Sequence, residues 1–340
     1  MSRKLLSVSV AGMLMGGTVM ADVPNVAVDI APVHSLVARV MDGVGAPSLI
    51  IPPGASPHEY SLRPSEASAL QEANLVFWIG KDLTPWMEDA VATLAEDASV
   101  TTLLEVGEIR LLDFREGALF EAHDHDGEHH DAHAEEDGHG HDDHDHDQHD
   151  KVAEAEHDDH AHHDHAGHDH DAHDPHAWLS PQNARIWLDV IAAELSAADP
   201  DNAGTYFANA AAAKTEMAVL STEITEALDP VRNGRFIVFH DAYQYFETDF
   251  GLFASGAISI GDAADPSPSR IIEIQGRIRD EGIDCVLAEP QFDPGLVATV
   301  LEGTEARTGV IDPLGAALEP GPSLYPQLLR DMTTTLVECL

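Results

Sequence analysis

Apolar positions along this chain fall into two patterned blocks. In the first, short runs over 26–30, 48–51, 75–79 and 100–104 have the length and content of buried strands. Between them, 32–41 carries Val33, Leu36, Val37 and Val40 at helical spacing. Pro64 opens a second helix in its first turn, where a missing N–H costs nothing, and 85–94 reads as a third. The second block repeats the alternation. A strand over 236–239 ends at His240, and a helix over 270–279 puts Ile271, Ile274 and Ile278 on one side. A strand over 285–288, a helix over 294–301, a strand over 308–311 and a terminal helix over 324–337 follow. Strands alternating with helices predict parallel sheets covered on both faces.

The two blocks are joined by helices. Ser180 and Pro181 start one that runs to about residue 197, and Asp199-Pro200 breaks it. The next, over 202–228, places Tyr206, Ala210, Ala213, Met217, Leu220, Ile224 and Leu228 on a single stripe. A helix of that length spans roughly 40 Å at 1.5 Å per residue and suits a rod between two lobes. The expected fold is α/β, with two Rossmann-like parallel-sheet lobes joined by one long α-helix. The expected division is a first lobe over 22–199, a connecting helix over 200–229 and a second lobe over 230–340.

The amino terminus stands apart from this pattern. Arg3 and Lys4 precede an apolar run over 5–20, which ends in Val19-Met20-Ala21. This is the layout of a cleaved export signal over 1–21. The run is too short and too rich in glycine for a membrane span. With no cysteine near the cleavage point, lipid attachment is not expected, so the mature chain should start at Asp22 as a soluble protein outside the cytoplasm.

Composition then changes the picture. Of the 22 histidines, 18 lie in 123–173, together with 19 acidic residues and a single basic one, Lys151. Such a tract cannot bury enough apolar surface to offset the entropy of ordering its backbone, and is expected to be disordered without metal. Patterned sequence resumes at once after it, so it reads as an insertion within the first lobe. Outside the tract and the signal there are still 42 acidic residues against 14 basic ones. Nucleic acid and anionic membrane surfaces are therefore poor partners, and a cation is a good one. The two cysteines, Cys285 and Cys339, read either as a disulfide in an oxidising compartment or as two buried thiols.

Four histidines remain. His58 sits in the loop Gly54-Ala55-Ser56-Pro57-His58-Glu59-Tyr60, His176 follows Asp174-Pro175, and His240 ends a strand. Ligands of open parallel sheets gather beyond the carboxyl ends of the strands. Three imidazoles plus a carboxylate or water form a common tetrahedral zinc site. His34, inside an apolar helix, reads as a packing or hydrogen-bonding residue. Glu59, directly after His58, reads as a ligand or a solvated loop carboxylate.

The segment Ser56-Pro57-His58-Glu59-Tyr60-Ser61-Leu62-Arg63-Pro64-Ser65 resembles the first metal-ligand motif of the zinc and manganese substrate-binding proteins of ABC importers. Asp174-Pro175-His176-Ala177-Trp178-Leu179 resembles the second. Glu289-Pro290-Gln291-Phe292 and Ile311-Asp312-Pro313-Leu314-Gly315 are similar to later landmarks of the zinc branch, the ZnuA-type proteins. The resemblance covers essentially all of the mature chain. It implies a periplasmic protein, monomeric, that captures Zn2+ as transported ligand and delivers it to the membrane permease of an ABC importer.

By that resemblance His58, His176 and His240 are the imidazole ligands, with Glu59 or a water fourth. Related manganese binders carry a carboxylate at the position of His240, so a third imidazole favours zinc. The manganese binders' aspartate from the second lobe has no clean counterpart here, and Asp312 reads as part of a loop motif. A His/Asp-rich tract before the second motif and a disulfide placed like Cys285–Cys339 are also typical of the zinc branch. The tract is expected to add weaker zinc binding, and the long helix to limit hinge motion. The competing readings are zinc storage or buffering, manganese transport and a zinc-dependent hydrolase. The last is disfavoured by the lack of a His-Glu-x-x-His helix.

Overall fold

The computed structural model describes residues 23–115, 120, 173–259 and 266–340. The expected export signal and the His/Asp-rich tract as far as residue 172 lie outside the described residues. The described residues belong to one compact unit. It holds two four-stranded parallel sheets. The first is built from β1 (Val26–Val28), β2 (Ser48–Leu49), β3 (Leu75–Trp78) and β4 (Ser99–Thr102) in the order β2-β1-β3-β4. The second is built from β5 (Phe236–His240), β6 (Ala257–Ser259), β7 (Cys285–Ala288) and β8 (Arg307–Val310) in the order β6-β5-β7-β8.

The two sheets have the same topology. The second strand in sequence lies on one side of the first, and the third on the other. Chain connections therefore diverge between β1 and β3, and again between β5 and β7. The crevices beyond the carboxyl ends of these two pairs are where open α/β sheets bind ligands.

Nine helices are described: α1 (Ala31–Val40), α2 (Pro64–Gln71), α3 (Pro85–Leu94), α4 (Pro181–Ala198), α5 (Ala203–Leu228), α6 (Gln244–Phe250), α7 (Pro268–Glu281), α8 (Pro294–Leu301) and α9 (Leu324–Cys339). Five of them, α2, α3, α4, α7 and α8, begin on proline, whose fixed φ suits the first turn. The Ser180 side chain caps α4 by accepting from Asn183 N (3.2 Å). Helix α5 buries Tyr206, Ala210, Ala213, Met217, Leu220, Ile224 and Leu228, the stripe expected from the sequence. At 26 residues it is about 39 Å long.

Two elements were not expected from the sequence. Helix α6 spans 7 residues, too few to show a helical period, and ends at Gly251 with φ 65°. Strand β6 spans only 3 residues.

Alternation along β5 shows how the second sheet is packed. Phe236 and Val238 face the main core, which also contains β1, β3, α1, α4, α5 and α9 side chains. Ile237 and Phe239 face a smaller cluster with Ile274 and Ile278 of α7 and Val297 and Val300 of α8. Helix α9 packs on α1 and α5 as well as on β8. There Tyr325 N donates to Ser35 Oγ (2.9 Å). A disulfide between Cys285 and Cys339, with Cα atoms 5.7 Å apart, ties the start of β7 to the end of α9. Among the described residues no helix is long and apolar enough to cross a membrane.

Candidate metal centre

Three loops and strand ends bring His58, His176 and His240 together. Each offers a ring nitrogen, and these atoms all lie within 4.8 Å of one another. His58 follows β2 in a loop that Trp86 anchors, its indole N–H donating to Pro57 O (2.7 Å). The loop turns at Gly54, whose φ of 82° favours glycine. His58 is partly exposed, whereas His176 and His240 are each only 4% exposed.

His176 is set by its own neighbour. Asp174 Oδ1 accepts from His176 N (3.0 Å) and pairs with its Nδ1 (2.7 Å). Asp174 is held in turn through its backbone, its N donating to Leu112 O (2.8 Å) and its O accepting from the Tyr245 hydroxyl (2.8 Å). His240 is set by sheet register. Phe236 pairs with Cys285 and Ile237 with Val286, so His240 stands opposite Glu289, one residue past β7. Glu289 Oε1 pairs with His240 Nδ1 (2.7 Å) and accepts from His240 N (3.3 Å).

Both carboxylates therefore engage Nδ1 and turn Nε2 inward, the usual second layer of a zinc site. The two inward Nε2 atoms stand 3.4 Å apart. With Zn–N bonds of ~2.05 Å, the edge of a tetrahedron is about 3.3 Å. Two Nε2 atoms at this separation are spaced as two ligand atoms of one tetrahedral ion would be. The donor set fits zinc: three imidazoles, with two carboxylates behind them to balance a double positive charge.

The imidazoles line one cavity with Ser56, Pro57, Trp178, Glu289, Gln291 and Phe292. Glu59 is exposed and is outside both the histidine group and this lining. Asp312 is committed to its own loop, accepting from Leu314 N (3.0 Å), Gly315 N (2.9 Å) and Ala316 N (2.6 Å). His34 lies packed in α1 with Nε2 3.1 Å from Pro47 O, and burial lowers its pKa below the ordinary histidine value.

Beside the centre, Arg115 pairs with Asp241, the neighbour of His240, and with Glu247 of α6. Phe120 covers one face of its guanidinium at 3.6 Å. Burial opposes the arginine's charge, but the two carboxylates outweigh it and raise its pKa further. Burial raises the pKa of Asp241 and of Glu247, and Arg115 partly offsets both shifts.

A profile of the family described as zinc-uptake complex component A, periplasmic, matches residues 26–339. The chain belongs to this family. It is 46% identical over 336 residues to the high-affinity zinc uptake system protein ZnuA of Brucella abortus, covering 99% of this chain and 97% of the relative. It is 47% identical over 321 residues to that of Paracoccus denitrificans, covering 94% and 93%. Its fold is that of a crystal structure of ZnuA, with a TM-score of 0.70 at 20% identity over 94% of this chain and 99% of the other. The fold is also that of FpvC from Pseudomonas aeruginosa in complex with Mn2+, with a TM-score of 0.71 at 18% identity over 93% and 98%.

Members of the zinc-uptake family are transport proteins that bind a substrate rather than transform it. Within this member, sequence reasoning singled out the three histidines but gave no role to Asp174, Glu289, Gln291 or Arg115. Asp174 carried a local signal, since a short acidic side chain two residues ahead can bond the backbone N–H of the histidine. Glu289 is 49 residues from its partner, so only the parallel register reveals it.

Proposed function

We propose that this protein captures zinc in the periplasm and hands it to the membrane permease of an ABC importer. The zinc is cargo, held by His58 and His176 from the first lobe and His240 from the second. The observation that carries this reading is the convergence of three imidazole nitrogens within 4.8 Å, two of them oriented by buried carboxylates. The centre lies between segments that follow β2 and precede α4 on one side and the ends of β5 and β7 on the other. Moving the sheets apart would withdraw His240 from the other two and release the ion.

The finer parts of the reading go with this. The chain is exported by a cleaved signal over 1–21, is not lipid-anchored, and acts as a monomer. It divides into lobes over 22–199 and 230–340 around the connecting helix. The tract over 123–173 gathers further zinc more weakly, because ordering the chain opposes binding. Glu59, exposed on its loop, is not needed for the tight site.

Titration of His240→Ala against a competing chelator tests the site. Loss of tight zinc binding is expected, and an unchanged affinity would remove His240 from it. Deleting 123–173 should lower the number of zinc ions bound while leaving the tight one in place.

A further inference from the structure

Gln291 lines the same cavity as the three imidazoles, two residues after Glu289. Its amide nitrogen donates to Asp312 Oδ1 (3.4 Å). Asp312 is itself fixed by three backbone N–H groups. With the NH2 end turned to a carboxylate, the amide oxygen has to point the other way. Turning the amide over would set oxygen against oxygen. The Oε1 atom so placed is buried and accepts no hydrogen bond from any described residue. Buried polar atoms are satisfied as a rule, so an orphan beside a functional centre calls for a partner that belongs to that centre.

Three imidazoles leave one position open on a tetrahedral ion. Glu59 is exposed and Asp312 is spent on its loop. Gln291 lines the cavity, and its amide oxygen is uncommitted among the described residues. We propose that Gln291 is a specificity-determining residue: its Oε1 accepts a hydrogen bond from the water that completes the coordination of the cargo ion. This rests on the zinc-capture reading. A neutral amide steadies that water without adding a negative charge. The donor set stays rich in nitrogen, which suits zinc, and the ion is held without the extra anion that favours oxygen-loving manganese.

The test uses the full chain with zinc, cobalt and manganese, comparing wild type with Gln291→Leu, Gln291→Met and Gln291→Glu. Removing the acceptor is expected to weaken zinc binding about tenfold, the loss of roughly one hydrogen bond to a polarised partner. It is also expected to change the visible absorption of the cobalt-loaded protein, because the water loses its anchor. A packing role alone would leave that spectrum unmoved. Gln291→Glu is expected to raise manganese affinity relative to zinc by tenfold or more.

Metal-free melting identifies which of the Leu and Met variants keeps the wild-type fold, and the comparison is read on that one. Zinc affinity within twofold of wild type together with an unchanged cobalt spectrum overturns the proposal. So does an unchanged zinc-to-manganese ratio in Gln291→Glu. If wild type and His176→Ala bind zinc equally, the three-histidine reading itself has failed. If wild type binds tightly, His176→Ala does not, and the Gln291 variants match wild type, only the role of Gln291 is lost.

Discussion

Glu289 offers the sharpest separation between an oriented imidazole and one that is merely nearby. Its carboxylate is buried, 4% exposed, and lies 2.7 Å from His240 Nδ1. That distance is in the charge-assisted range of ~2.7–2.9 Å. A hydrogen bond to a charged group contributes about 1.5–3 kcal/mol, a neutral one about 0.5–1.5 kcal/mol. Glu289→Gln keeps an acceptor for Nδ1–H but loses the charge, so about 1–1.5 kcal/mol goes, or roughly tenfold in zinc affinity. Glu289→Ala frees the ring to rotate and change tautomer, and outer-layer partners of this kind are worth about 10–100-fold. The expected order is wild type, then Gln, then Ala. Competition against a chelator of known affinity near neutral pH measures it, with metal-free melting of each variant as control. If Glu289→Ala binds zinc within twofold of wild type, the carboxylate does not orient His240 for metal, and the inward placement of Nε2 has another cause.

Three further outcomes follow from the same geometry. Arg115→Met strands Asp241 and the fully buried Glu247 without their cation. About 3–5 kcal/mol of stability should be lost by denaturant titration, with partial recovery on adding Glu247→Gln; a loss below about 1 kcal/mol contradicts the buried pairing. Reducing Cys285–Cys339, which closes a loop of sequence separation 54, should cost about 4 kcal/mol by chain entropy. Equal denaturation midpoints with and without reductant would show that the bond adds nothing. Asp29 is wholly buried, and burial raises its pKa to about 7 despite hydrogen bonds from Ile79 N and Ile30 N. The folded state then keeps a proton that the unfolded chain has released. Stability should therefore fall as pH rises from about 4 to 7, by at most ~1.4 kcal/mol per unit. Relative to Asp29→Asn, wild type should lose ground across this window; parallel pH profiles would refute the shift.

Long elements were legible in the sequence because their periods repeat. The α5 stripe from Tyr206 to Leu228 needs only spacing to be seen, and about six turns of agreement leave little room for another register. Strand β7 and helices α3 and α8 were equally plain, bounded by proline or by a change of polarity. Helix α6 and strand β6 were not, since neither is long enough to show a period; α6 is held by tertiary bonds, such as Tyr245 Oη to Asp174 O. The three histidines stood out once the tract was subtracted. Their partners did not, because Glu289, Gln291 and Arg115 are defined by which strands and loops lie side by side. Glu59 was singled out by adjacency in sequence to His58, and its side chain is exposed and outside the cavity lining.

The two sheets, drawn from different halves of the chain, solve one problem in two ways. In each, the crevice opens where connections diverge, between β1 and β3 and between β5 and β7. In each, a buried carboxylate spans that crevice and accepts a backbone N–H from the neighbouring strand end. Asp29 does so toward Ile79 N at 2.7 Å, and Glu289 toward His240 N at 3.3 Å. In the first sheet both Asp29 oxygens are taken by backbone, Ile30 N on one and Ile79 N on the other, so the stitch is purely structural. In the second, the same Glu289 oxygen that accepts from the backbone also grips the imidazole of His240. Only one of the two crevices is thereby armed for metal, and the first lobe contributes through its loops instead. This asymmetry separates two kinds of substitution. A change at Asp29 should alter stability and spare zinc affinity in the protein that folds. A change at Glu289 should do the reverse, because its removal disorients a ligand while the β5–β7 ladder, with its disulfide to α9, remains in place.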